Sequence, residues 1–335
     1  MNPRARIRLL PDGRRLHLND GPIDIVLEAF GPAAEIKAAY RAAAQRFVTV
    51  LDELCSELTF LRQPTQCVSR EAAQDYSPRR KPWEERGKSQ SPEGAKEAVS
   101  RARARVDVSH GAIARRMAAA VTPFAAETFI TPMAAVAGAV AEEILEAMTR
   151  RSNLTHAYVN NGGDIALHLS PGEQFTIGMV ERPDRPSLFG TTTIHAHQPI
   201  RGIATSGWRG RSFSLGIADA VTVLADTAAQ ADAAATVIAN AVDLPGHPAI
   251  TRVPACELAP DTDLGDRLVT QSVGELTPQE IDAAISAGAK IANRLQRANL
   301  IHAAALNLSG QTRIACDNET LFIADESPKR TLLHA

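Results

Sequence analysis

The sequence predicts an α+β fold in which antiparallel sheets pack with helices. Short runs of alternating apolar residues cluster near the start, in the middle and at the end of the chain. Longer segments between them repeat apolar residues at threes and fours, the period of a helix face. The two kinds of segment do not alternate in the regular βαβ units of a doubly wound sheet, which favours antiparallel sheets. No repeat of fixed period is present. The 335 residues are 44% apolar and 22% charged, enough for a sizeable core. Aromatics are only 4%, so Ala, Val, Ile and Leu must fill it. One domain over residues 1–335 is expected, interrupted by a basic, flexible insertion at about 70–107.

"ARIRLLPDGRRLHL" (5–18) reads as a hairpin turning at Pro11-Asp12-Gly13, and "PIDIVLEA" (22–29) adds a third strand. Ile36, Tyr40, Phe47, Val50, Leu51, Leu54, Leu58 and Leu61 mark a helix over 32–62, with Pro32 where proline is tolerated. Residues 63–107 are rich in Pro, Ser, Gly, Arg and Lys and read as an exposed loop with a short helix near 93–105. "TPMAAVAGAVAEEILEAM" (131–148) is a helix with Thr131 as N-cap and Pro132 at the first helical position. Its small residues let another backbone approach. Strands follow near 155–160, 164–169, 174–181 and 200–205, then the buried strand "DAVTVLA" (219–225). An Ala-rich helix covers 227–242. A second helix, 277–296, opens on a capping box of Thr277 and Glu280. Two strands around Ser309-Gly310 close the pattern.

Net charge is −2, which gives no general attraction to nucleic acid or anionic lipid. The basic 63–107 stretch lacks the interleaved aromatics of a single-strand nucleic-acid binder, so it reads as a solvated linker. Cys55, Cys67, Cys256 and Cys316 are far apart and form no CxxC pair, which argues against a disulfide framework or a zinc site. No run approaches the ~18 apolar residues of a membrane span. The N-terminal stretch has no apolar segment of signal-peptide length, so a cytoplasmic location is the expectation.

Three segments carry candidate chemistry. In "AYVNNGGDIALHL" (157–169), Gly162 and Gly163 bare the backbone where a strand turns, beside Asn161 and Asp164. Such a turn serves a hairpin, or it brings backbone N–H groups to a phosphate or ring. In "GIATSGWRG" (202–210), Thr205, Ser206 and Gly207 precede Arg209 and Arg211, a set of hydroxyls and guanidinium forks suited to an anion. In "ADAAATVIANAV" (231–242), Asp232 and Thr236 are four apart on one helix face. Only alanines separate them. Their hard oxygens suit Mg²⁺, which keeps waters or substrate phosphates as its other ligands; a solvated face is the competing reading. His195 and His197, two apart on a possible strand, are a further metal candidate, but a lone pair of this kind is more often incidental.

In order and spacing these segments resemble the ApbE superfamily of FAD:protein FMN transferases. That family carries Asn-x-Gly-Gly-Asp, then Ala-Thr-Ser-Gly, then Val-Thr-Val, then Ala-Asp-x-x-x-Thr. The counterparts here are Asn160–Asp164, Ala204–Gly207, Val221–Val223 and Ala231–Thr236. The pattern is closest to an uncharacterised, cytoplasmic ApbE-like branch and covers roughly residues 110–245. The resemblance implies an ApbE-like fold with a ligand cleft between two halves. It implies Mg²⁺ on Asp232 and Thr236, with the backbone carbonyl of Thr131 as a third ligand. Asn161, Gly162, Gly163, Asp164, Thr205, Ser206, Gly207 and Arg209 would line the site of FAD, as substrate or ligand. The implied activity is FMN transfer from FAD to a protein threonine, or hydrolysis of the FAD pyrophosphate. The implied partners are a flavin or nucleotide and an acceptor flavoprotein, with no nucleic acid and no membrane; a homodimer is left open.

The chain also departs from that pattern. "SGWRGRSFSLGIADA" replaces the usual His-x-x-Asp-Pro segment, and "ITPMAAVAG" replaces Gly-x-x-Lys-Gly. An ApbE-fold enzyme for a different small molecule and a non-catalytic flavin or nucleotide binder therefore stand as alternatives.

Overall fold

The computed structural model describes residues 4–65, 110–180, 188–316 and 323–324. The basic segment expected as an insertion at 70–107 lies outside the described residues, as does the helix expected near 93–105.

The chain opens with β1 (Arg6–Leu9), β2 (Leu16–Asp20) and β3 (Ile23–Phe30), followed by helix α1 (Ala33–Ser56) and the short α2 (Leu58–Leu61). Helix α3 (Ala112–Val121) and α4 (Val136–Thr149) precede the hairpin of β4 (His156–Asn161) and β5 (Asp164–Leu169). Next come β6 (Gln174–Val180), β7 (Leu188–His195), β8 (Gly202–Ser206), β9 (Ala220–Ala225) and helix α5 (Ala228–Ala241). Strand β10 (Ile250–Pro254), the short α6 (Ala255–Leu258) and β11 (Leu268–Val273) lead to α7 (Pro278–Arg297). Finally β12 (Ala303–Leu308) and β13 (Gln311–Cys316) form the last hairpin, with β14 at Ile323–Ala324.

Nine strands make one sheet in the order β1-β2-β3-β4-β5-β8-β9-β12-β13. Every neighbouring pair in it is antiparallel. Strand alternation sorts its side chains onto two faces. Leu18, Ile25, Leu27, Ala157, Val159, Ala166, Ala204, Val221 and Val223 join the core under the helices. Helix α1 covers β2 and β3, α4 covers β4 and β5, α5 covers β8 and β9, and α7 covers β12 and β13. The opposite face presents Leu167, Leu169, Ile203, Leu224, Ala303 and Ala305. It is closed by Ile194 and Ile200, with Phe175 and Ile177 packed alongside. Phe175, Ile177 and Ile194 belong to β6 and β7, which form a second small sheet with β14.

The expected α+β class with antiparallel sheets is what the chain adopts. Two expectations change in detail. The helix expected from Thr131 opens instead as a 3-10 turn over Pro132–Ala135, and α4 begins at Val136 after Ala135. Such 3-10 turns are common at α-helix N-termini, and Thr131 makes no side-chain capping bond, its hydroxyl being taken by Asp263. His195 ends β7 while His197 lies in the turn beyond it, so the two rings do not share a strand face; they stack at 5.4 Å.

Candidate functional site

The Gly-Gly pair is a hairpin turn. Asn161 lies opposite Asp164 in the β4–β5 ladder, so Gly162 and Gly163 form a two-residue loop. Their φ angles are +68° and +115°, which glycine adopts without a Cβ penalty. Asn160 Oδ1 accepts the Gly163 N–H at 2.8 Å and closes the turn. The register then turns Asn161 and Asp164 toward the helices. Asn161 Nδ2 donates to the Ala137 carbonyl at 3.1 Å, at the start of α4. Asp164 Oδ1 accepts from the Thr205 N–H of β8 at 3.2 Å.

Asp232 arrives on the same spot from α5. Its Oδ2 accepts the Gly138 N–H at 3.0 Å, and the Ala137 N–H also bonds to this carboxylate. These are the second and third residues of α4, whose early N–H groups have no partner within their own helix. The side chain of one helix thus caps the next. Asp232 is partly exposed as a residue, but its carboxylate is turned to that helical terminus. Gly138 makes the approach feasible, because a Cβ there would run into the Ala228 carbonyl of α5.

Two carboxylates therefore share one poorly hydrated space. Loss of water pushes Asp164 up to about 7, against the Thr205 N–H and the Arg211 charge, which pull it down. Loss of water likewise pushes Asp232 well up, and the charge of Asp164 adds to this. Thr236 is half-buried one helical turn beyond Asp232.

The other expected site residues divide. Thr205 bonds through its backbone, but its hydroxyl faces the opposite side of the sheet, 2.9 Å from the Thr222 hydroxyl. Ser206 ends β8 opposite Val221, and Gly207 is buried behind the backbone of Ala218 and Asp219. Arg209 is held by Asp219, Nε to Oδ1 at 2.5 Å, and lies over the Trp208 ring at 4.2 Å. Thr131 donates its hydroxyl to Asp263 Oδ2 at 2.5 Å, and its carbonyl accepts the Ala134 N–H of the 3-10 turn.

Three participants were not among the expected site residues. Ala137 and Gly138 act through backbone N–H groups, which sequence does not display. Glu142 reaches from α4 to the first turn of α5, accepting the Ala229 N–H at 2.7 Å; its one sequence signal was a glutamate inside an Ala-rich run. A cavity of about 290 Å³ opens beside it, farther along β5, with Arg116, His168, Arg201, Asp226 and Thr227 in its wall.

Among the described residues no group of three or more His, Cys, Asp or Glu side chains gathers as a metal site. Two close carboxylates and a hydroxyl nevertheless suit a hard cation that keeps most of its waters. Backbone N–H bonds to Asp232 would hold such a ligand in place. No helix among the described residues is long and apolar enough to cross a membrane.

A helix-covered antiparallel sheet with a carboxylate pair at a Gly-Gly hairpin defines the class, an α+β protein. The sequence model of a family described as AbpE bacteria matches residues 7–80 and 94–314, and the chain belongs to that family. This agrees with the ApbE-like branch to which the motifs pointed. A UPF0280 protein of Methanopyrus kandleri is 38% identical over 128 residues, 38% of this chain and 48% of that protein. One from Methanosphaerula palustris is 39% identical over 144 residues, 40% of this chain and 54% of that protein. The matches thus span about half the length of these curated relatives. Among solved structures the chain is similar to the ApbE protein of Thermotoga maritima, with TM-score 0.41 and 11% identity over 92% of this chain and 96% of that one. It is also similar to the flavin transferase ApbE of Vibrio cholerae, with TM-score 0.40 and 13% identity over 94% and 98%.

Proposed function

We propose that this protein is a divalent-cation-dependent flavin-processing enzyme that cleaves the pyrophosphate of FAD. The FMN half passes to a threonine hydroxyl of an acceptor protein, or to water. The observation that carries the reading is the convergence of Asp164 and Asp232, two poorly hydrated carboxylates, beside a Gly-Gly turn and the N-terminus of α4. The motifs shared with the flavin transferases supply the flavin part.

Asp232 and Thr236 would hold Mg²⁺, with Asp164 on the facing wall and the Thr131 carbonyl as the further expected ligand. When bound, the cation would neutralise negative charge on the pyrophosphate oxygens. Asn161, Gly162, Gly163, Ser206 and Gly207 would line the ligand. The attacking oxygen forms a bond to the FMN-side phosphorus, and the bond from that phosphorus to the bridging oxygen breaks. AMP leaves with the bridging oxygen, and the proton of the attacking hydroxyl or water is released.

The loss of His-x-x-Asp-Pro and the arginines at 209 and 211 favour a second reading, a different phosphorylated small molecule on the same fold. One experiment separates them. Purified protein is incubated with FAD and Mg²⁺, with and without a threonine-bearing acceptor flavoprotein, and AMP is quantified by chromatography. AMP is expected, and Asp232→Asn, which keeps an oxygen for the Gly138 N–H, is expected to abolish it. Flavin binding without AMP would make the protein a binder. A flat flavin-fluorescence titration would overturn the flavin reading.

A further inference from the structure

The arginines around the site have different fates. Arg116 of α3 is bonded to Glu142, Glu143 and Glu146. Arg201 donates to the carbonyls of Ala196, Gln198 and Ile200. Arg209 is taken by Asp219 and stacked on Trp208. Arg211 is the exception. It is exposed, and among the described residues it has neither an ion pair nor a hydrogen bond.

Its position is nonetheless defined. The loop carrying it is pinned at its base, where the Trp208 N–H donates to the Ala218 carbonyl at 3.0 Å and Asp219 grips Arg209. From there the Arg211 guanidinium lies on the Gly162 backbone. A Cβ at 162 would collide with Nη2 and come within 3.0 Å of Cζ. Gly162 therefore serves two needs: the left-handed turn, and a bare surface for a planar guanidinium. The charge of Arg211 also reaches Asp164.

Ionised Asp164 and Asp232 contribute two negative charges, which one divalent cation cancels. Arg211 then leaves a net positive charge at the turn, with five fixed donors and no internal acceptor. A guanidinium so placed matches a phosphate through paired, charge-assisted hydrogen bonds.

We propose that Arg211, seated on Gly162, is the residue that selects phosphorylated over unphosphorylated ligands at this site. The proposal rests on the reading of the site as a cation-assisted phosphate site; it does not require the phosphate to belong to a flavin.

The test measures binding in saturating Mg²⁺, with no turnover. FMN and riboflavin are titrated by flavin fluorescence and inorganic pyrophosphate by calorimetry, against wild type, Arg211→Ala, Arg211→Lys and Gly162→Ala. Wild type should prefer FMN to riboflavin by about tenfold or more, the scale of one lost charge-assisted contact. Arg211→Ala should bring that ratio within about threefold of unity by weakening FMN alone. Arg211→Lys, a point charge without the fork, should fall between. Gly162→Ala, checked for an intact thermal transition, should resemble Arg211→Ala because the guanidinium is displaced. An FMN preference that survives Arg211→Ala overturns the proposal. If neither flavin binds, the flavin reading has failed, and pyrophosphate decides about Arg211. About tenfold weaker pyrophosphate binding in Arg211→Ala supports the proposal. Unchanged pyrophosphate binding, or none by wild type, overturns it.

Discussion

Asp164 combines a structural bond with an electrostatic cost. Its Oδ1 accepts from the Thr205 N–H, tying β5 to β8 at the point where their ladder opens toward the site. Its ionised form adds like charge to the buried carboxylate of Asp232. Asparagine keeps the acceptor and removes the charge. Asp164→Asn should therefore make the cation-free protein more stable near pH 8, by roughly 1–3 kcal/mol, a discounted conversion of the raised ionisation constant. Urea unfolding with EDTA at pH 8 and at pH 5 measures it: the gain should be present at pH 8 and shrink at pH 5, where the wild-type pair holds protons. The same variant should lose cation-induced stabilisation, so stability and function oppose each other at this residue. A destabilised variant at pH 8 would show that the two carboxylates do not repel.

Between elements, α4 and α5 cap one another. Asp232 of α5 accepts from the first turn of α4, and Glu142 of α4 accepts from the Ala229 N–H in the first turn of α5. Thr227 supplies the usual local cap for Gln230. Burial raises Glu142, while the Ala229 N–H and Arg116 pull it back. Glu142→Ala would orphan a buried helix-terminal donor and should cost about 1–3 kcal/mol, read as a lowered urea midpoint at unchanged slope. Glu142→Gln should lose less, since one oxygen remains; an equal loss would mean that charge, not capping, is what matters.

This level is where the sequence was hardest to read. The helix faces, the turn at Gly162-Gly163 and the capping box at Thr277 are local signals, and each formed as expected. Reciprocal capping depends on which helices become neighbours, which no local window contains. Helix α3, with its five alanines, and strands β10 and β11 were not marked, and β7 was marked only at its His195 end, for a related reason. Their faces are completed by partners outside the segment itself: Ile194 of β7 joins one cluster with Leu224, Ala303 and Ala305, and β10 pairs with β11. At the site, Asp164 and Asp232 were legible as motif residues. That Arg209 is held by Asp219 while Arg211 has no ion pair among the described residues was visible only once Asp219 and Gly162 were in place.

For the whole molecule, the carboxylate pair links folding to protons and, on the proposed reading, to a bound cation. Asp164 is raised from 3.8 to about 7 and Asp232 is raised as well, so the folded chain holds protons that the unfolded chain has released. The stability contributed by these groups is full below the unfolded value and is lost as pH rises through about 7. On that reading a cation would need the ionised pair and compete with those protons. Its stabilisation must therefore grow across the window in which the cation-free protein weakens. At a free Mg²⁺ concentration about ten times Kd the linkage is worth ~1.4 kcal/mol, or about 2–4 °C in Tm for a chain of this class. Thermal unfolding with Mg²⁺ or EDTA should show that shift near pH 8 and little of it near pH 5.5, and Asp232→Asn should erase the difference. A shift of equal size at both pH values would place the cation away from this pair. A shift larger at pH 5.5 would reverse the sign that two raised carboxylates require.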